Sequence, residues 1–123
     1  MNIVDSSGWL EYFSAGKNAN EFEEPLSNIE SLIVPSITIY EVFKVILREK
    51  NENSALQGIA LMKQGQVIDL NTEIAMSAAV ISLKNKIPIA DSVIIATANR
   101  YEATVWTQDN DFENMPGVKF FAK

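Results

Sequence analysis

The 123-residue sequence contains no histidine and no cysteine. The absence of His excludes imidazole general bases, Ser-His-Asp triads and His-ligated zinc. The absence of Cys excludes thiol nucleophiles, thiolate metal sites and disulfides, and with them any sign of an oxidising compartment. No apolar run approaches the ~20 residues that a membrane-spanning helix needs. The opening residues Met1-Asn2-Ile3-Val4-Asp5 carry neither a basic segment nor a long apolar stretch. A secretory signal and membrane attachment are therefore not expected, and a cytoplasmic protein is. Positive charge is scarce: 10 Lys and Arg stand against 16 Asp and Glu, for a net charge of −6. That balance speaks against a broad surface that coats nucleic acid. The chemistry left open is that of carboxylates, hydroxyls, Lys, Arg and Tyr, or of a metal held by oxygen ligands, for which Mg²⁺ and Mn²⁺ are the fitting ions.

What is present fits one domain over residues 1–123, with an ordinary apolar fraction of 47%. There is no repeat or linker, and the four Pro and five Gly punctuate elements. Ile3-Val4 is a strand running into the polar turn Asp5-Ser6-Ser7-Gly8, followed by Trp9, Leu10 and Phe13 at helical spacing. Residues 19–30 form an acidic helix with Phe22, Leu26 and Ile29 as its stripe. Leu32-Ile33-Val34 is a buried strand closed by Pro35.

Ser36 is the expected N-cap of a helix with Ile39, Tyr40, Phe43, Ile46 and Leu47 inward. Asn53 or Ser54 caps the next, with Leu56, Ile59, Ala60 and Met62 inward and Gly65 after it. Val67 to Leu70 is a strand, and Asn71 or Thr72 caps a helix whose stripe is Ile74, Ala75, Ala78, Ala79 and Leu83. A loop over 87–90 leads to Asp91 and the apolar helix Val93 to Ala98. Strands over 103–107 and 118–121 flank the loop Gln108-Asp109-Asn110-Asp111. Strands alternating with helices predict an α/β fold with a mainly parallel sheet.

The positions of the acids are more informative than their number. Asp5, Asp109 and Asp111 follow strands, Asp91 opens a buried helix, and Glu41 stands among Ile39, Tyr40, Val42 and Phe43. In open α/β sheets, ligands bind at the carboxyl ends of strands. Each acid alone also has a plain structural reading. Asp91 suits an N-cap, Asp5 an Asx-turn, Asp109 and Asp111 a polar turn, and Glu41 a helical pair with Lys44. Together, converging carboxylates repel and raise one another's pKa unless a cation neutralises them, and a divalent metal does so economically.

Four stretches in order resemble the PIN domain, and within it the small single-domain toxins of the VapC type. They are Ile3-Val4-Asp5-Ser6-Ser7 with Trp9, Ser36 to Val42 containing Glu41, Ala90-Asp91 to Ala98, and Val105 to Phe112. The likeness runs from Asn2 to about Phe121. It implies a three-layer α/β/α sandwich on a central, mainly parallel five-stranded sheet, and a metal-dependent endoribonuclease. Asp5, Glu41, Asp91 and Asp109 match the family's acidic quartet, and Asp111 falls where many members add an acid. Ser6 and Thr107 match hydroxyl positions at the edge of the site.

The resemblance also implies an RNA substrate, a homodimer and a cognate antitoxin whose C-terminal segment blocks the acidic pocket. With no His, water is to be activated by Mg²⁺ or Mn²⁺ on Asp5, Asp91 and Asp109, with Glu41 holding a second metal or positioning the water. Such hydrolysis leaves a 5′-phosphate and a 3′-hydroxyl. Lys44 and Arg48 share the helix face of Glu41, where they either guide phosphates or pair with Glu41 and Glu52. Lys84 and Lys86 are weaker candidates. Trp9, Tyr12 and Phe13 suit core or dimer packing better than base stacking.

A non-toxin RNA-processing member of the same family is the first alternative. A phospho-acceptor receiver domain is the second, though it would need adjacent acids at the first strand and a Lys after a late one. Without the five candidate acids, 11 acidic side chains face 10 basic ones. The negative charge is thus largely that of one pocket, and it does not exclude a nucleic-acid substrate.

Overall fold

Side chains alternate across each strand, and this alternation sorts the core into two layers. In the computed structural model, which describes residues 1–123, Val4, Leu32, Val34 and Trp106 point to one face of the sheet. Ile3, Ile33 and Val105 point to the other. The strands are β1 (Asn2–Val4), β2 (Leu32–Pro35), β3 (Gln66–Ile68), β4 (Thr104–Thr107) and β5 (Val118–Phe120). The helices are α1 (Ser6–Phe13), α2 (Ala19–Ser27), α3 (Ser36–Glu49), α4 (Glu52–Met62), α5 (Thr72–Asn85) and α6 (Ile89–Tyr101).

Helices α1 to α4 cover the first face through Trp9, Phe22, Val42 and Met62. On the second face α6 lies against the sheet through Ile94, Ile95 and Ala98. Helix α5 packs in turn on α6 through Ile74, Ala78, Val93 and Ala96. This is the expected α/β/α sandwich. No helix is long and apolar enough to cross a membrane.

The five strands pair in the order β3-β2-β1-β4-β5, all parallel. The chain builds outward from β1 to β3 and then returns to the opposite side of β1. The order therefore reverses between β1 and β4, and the carboxyl ends of these two strands form the crevice that suits a ligand. Register places Ile3 opposite Val105 and Val4 opposite Trp106, so Asp5 and Thr107 leave the sheet side by side.

The elements appear where the sequence predicts them, but several faces and caps differ. Helix α1 already begins at Ser6, so the expected turn is its first helical turn. Ser36 lies inside α3; Pro35 precedes it without a side-chain cap, and the Thr38 hydroxyl donates to the Pro35 carbonyl at 2.6 Å. Thr38 and Val42 are the buried residues of α3, whereas Tyr40 and Leu47 are exposed, because the helix is rotated relative to its most apolar stripe. Asn51, not Asn53 or Ser54, caps α4 by accepting from the Ser54 amide at 2.8 Å. Ala55, Gly58 and Met62 face inward there, while Leu56 and Ala60 do not.

Asn71 caps α5 as expected, but Ala75, Ala79 and Leu83 are exposed, since only Ile74 and Ala78 face α6 fully. Ile29 is also exposed, beyond the end of α2. Strand β3 stops at Ile68 and leaves Leu70 exposed. Helix α6 takes in Ile89 and Ala90 of the predicted loop.

Close packing of α1 on α2 rests on Gly8. A Cβ at this position would stand 2.6 Å from Val4 Cγ1 and 2.8 Å from the Phe22 ring. Gly8→Ala is expected to lower unfolding free energy by about 1–3 kcal/mol, the usual cost of overpacking. Urea denaturation checks this; an unchanged midpoint would show that α1 has room to move.

Candidate active site

Asp5 caps α1 and is at the same time the most enclosed acid, only 2% exposed. Its Oδ1 accepts from the Ser7 hydroxyl at 2.8 Å and the Gly8 amide at 3.1 Å, and its Oδ2 accepts from the Thr107 hydroxyl at 2.8 Å. The Asx-turn reading therefore holds for this residue, and the same carboxylate lies among the other candidate acids. Burial pushes its pKa up to about 6, against the pull of the Ser7, Thr107 and Gly8 hydrogen bonds and with a further push from the charge of Asp109.

Asp91 stands in the first turn of α6, 9% exposed. It is not a cap: Pro88 holds that position, and no hydrogen bond reaches the Asp91 carboxylate. Its pKa is pushed up to about 7, first by burial and then by the charges of Asp109, Asp111, Asp5 and Glu41. All four other candidate acids thus act on Asp91.

Asp109 and Asp111 come from the 3₁₀ turn after β4. The Asp109 amide donates to Thr107 Oγ1 at 2.9 Å, and Asp109 Oδ1 accepts from the Asp111 amide at 2.9 Å. Carboxylate oxygens of Asp91, Asp109 and Asp111 lie within 4.8 Å of one another.

Glu41, half-buried in the second turn of α3, has its pKa raised by burial. The Ser6 hydroxyl and the Lys44 ammonium lower it again, and the charge of Asp109 adds to the rise. Lys44 lies over the Tyr40 ring, 5.2 Å from its centre. Arg48 pairs with Glu49 at 3.3 Å rather than with Glu41 or Glu52.

The structure thus gathers Asp5, Glu41, Asp91, Asp109 and Asp111 at the reversal of strand order. Of the two predicted hydroxyls, Thr107 joins Asp5 to the Asp109 backbone, while Ser6 serves Glu41. The Asp5 partner that the sequence reading missed is Ser7: the start of the helix decides which hydroxyl turns back to the cap, and Ser6 and Ser7 are chemically alike. The site holds only oxygen donors, and Asp91 lacks any protein partner. That donor set fits a hard divalent cation such as Mg²⁺ or Mn²⁺.

The PIN-domain family model matches residues 3–118, and the chain belongs to this family. No curated protein matches the sequence. Among solved structures, a toxin–antitoxin complex from Klebsiella pneumoniae contains a chain that superposes with a TM-score of 0.83 at 22% identity, covering 100% of both chains. VapC20 of Mycobacterium tuberculosis, described as a sarcin-ricin loop cleaving toxin, superposes with a TM-score of 0.78 at 12% identity over 96% of this chain and 97% of its own. FitAcB of Neisseria gonorrhoeae gives 0.76 at 20% identity over 98% and 97%. At these identities the likeness is one of fold. Family membership sets aside the receiver-domain alternative.

Because folding raises the pKa values of Asp5 and Asp91, their contribution to stability is full below the ordinary carboxylate range. It is lost as pH rises through about 6 and about 7. In chelator, Asp91→Asn is therefore expected to raise the melting temperature at pH 7.5 and to leave it nearly unchanged at pH 4.5. Thermal melts at the two pH values check this; an equal shift at both would mean that charge repulsion at Asp91 is not the cause.

Proposed function

We propose that the protein is a metal-dependent endoribonuclease and the toxin of a toxin–antitoxin pair. One observation carries the reading: the Asp91, Asp109 and Asp111 carboxylate oxygens converge within 4.8 Å at the mouth of the β1–β4 crevice. Asp5 and Glu41 lie close enough to act on the same Asp91 charge. Asp91, Asp109 and Asp111, with Asp5 and Glu41 beside them, would hold Mg²⁺ or Mn²⁺. When bound, such an ion lowers the pKa of water and polarises a phosphodiester.

The protein's own groups do the rest. Thr107 and Ser7 fix the Asp5 carboxylate through its two oxygens. Glu41 approaches from α3 and orients the attacking water. Lys44, at the rim beside Glu41, meets a phosphate of the RNA backbone, and Arg48 lies further along the same helix. The likeness to a chain from a toxin–antitoxin complex supports an antitoxin as partner. The description of one neighbour as a sarcin-ricin loop cleaving toxin supports RNA as substrate.

Incubation of RNA with the protein and Mg²⁺ or Mn²⁺ is expected to give cleavage with 5′-phosphate ends. Chelation should abolish it, and Asp5→Asn should reduce it by about 10²-fold or more, as for loss of a group acting on transition-state charge. Activity that survives both treatments overturns the reading. Growth arrest on expression, relieved by a small neighbouring gene product, separates a toxin from a housekeeping RNA-processing nuclease.

A homodimer accords with the exposed apolar face of α5. Met76, Val80 and Leu83 are 68%, 66% and 84% exposed, with Ile89 at 77% beside them. An exposed apolar face of this kind can close on a second copy across a two-fold axis. Leu83→Glu is expected to convert a dimer to a monomer in analytical ultracentrifugation; a dimer that persists would place the interface elsewhere.

A further inference from the structure

A polar network joins the α1–α2 connection to the residue before Asp109 without a hydrogen bond to any of the five acids. Asn18, in the connection between α1 and α2, is 8% exposed, and its side-chain amide donates to Gln108 Oε1 at 2.9 Å and to the Ala122 carbonyl at 3.1 Å. The Asn18 backbone amide donates to Glu11 Oε2 at 2.8 Å. The Glu11 carboxyl occupies the space that a side chain at position 16 would fill: a Cβ on Gly16 would lie 2.4 Å from it. Ala15, at φ +54°, turns the chain back so that this carboxyl can reach the Asn18 amide. Glu11, Gly16 and Asn18 together make a fixed post.

Gln108 is the residue this post holds. It is also 8% exposed, its backbone amide donates to the Ser7 hydroxyl at 3.4 Å, and it immediately precedes Asp109. Asp109 and Asp111 carry like charges toward Asp91, so electrostatics alone would swing their loop away from it. A buried side-chain amide with its acceptor satisfied resists that motion. Breaking it leaves a desolvated polar group without a partner.

We infer that Asn18 is a positioning residue that, through Gln108, holds the Asp109–Asp111 turn in the geometry that receives a cation. For its consequence the inference rests on the proposed metal-nuclease reading, although the network itself does not. Groups hydrogen-bonded directly to metal ligands are worth about 10–100-fold in metal affinity, and Asn18, one residue further out, is expected at the lower end of that range.

The test uses Asn18→Ala and Gln108→Ala, with Asn18→Ser as a milder variant should the first not fold. Mn²⁺ binding is followed by electron paramagnetic resonance below the melting transition, together with hydrogen exchange at the 109–112 amides. The expected result is a Kd raised about 10-fold by each substitution, no further loss in the double variant, and cleavage restored by saturating Mn²⁺. Exchange at 109–112 should quicken in each variant. A lower melting temperature with unchanged Mn²⁺ affinity and unchanged exchange would assign Asn18 a purely structural role and overturn the inference. If the parent protein binds no Mn²⁺, the metal reading fails, and the exchange measurement decides alone: unchanged protection at 109–112 again overturns the positioning role.

Discussion

The hydroxyl of Thr107 joins the two halves of the site. It donates its proton to Asp5 and accepts from the Asp109 amide, so it ties the carboxyl ends of β1 and β4 through a single oxygen. The arrangement depends on register. With Val4 opposite Trp106, the Asp5 amide reaches the Trp106 carbonyl at 3.2 Å, and Asp5 stands level with Thr107. A slip of one residue would turn Thr107 to the opposite face of the sheet and dissolve the contact.

Around that junction the protein accepts an unfavourable electrostatic arrangement. Asp91 is largely enclosed and its carboxylate has no protein hydrogen-bond partner, and all four neighbouring acids raise its pKa. Native folds commonly break the rules of good packing and charge pairing where function requires it, and they compensate elsewhere. Here the compensation is a set of neutral donors: the Ser7 and Thr107 hydroxyls and the Gly8 amide on Asp5, and the Asp111 amide on Asp109. Lys44 is the one cation that lowers the pKa of any of the three shifted acids, and it acts on Glu41. The rest of the charge is nearly balanced, so a polyanion meets repulsion chiefly at the pocket.

Much of this was legible in the sequence, and the exceptions share a cause. Strands, helices and the five acids were readable because each is encoded locally, by apolar periodicity or by position after a strand. Which face of a helix turns inward is set by neighbours distant in sequence. Tyr40 and Leu47 therefore read as core in α3, where Thr38 and Val42 are buried, and the Ala75, Ala79 and Leu83 stripe of α5 read as inward when it is exposed. Asp91 taken alone read first as a cap, because both roles place a carboxylate at the start of a helix; its position inside the first turn and its lack of any backbone partner distinguish them. The Asn18–Gln108 contact joins residues 90 positions apart, and no local pattern announces it.

The same long separation has a consequence in time. Asp5 and its partner Thr107 are 102 residues apart. At synthesis rates of about 5–20 residues per second, the first is made about 5–20 s before the second. For that interval β1 has no β4 beside it, and Asp5 has neither Thr107 nor Asp109 near it. A growing chain therefore carries Asp5, Glu41 and then Asp91 but no site, and the centre forms only when β4 docks and brings the Asp109–Asp111 turn with it.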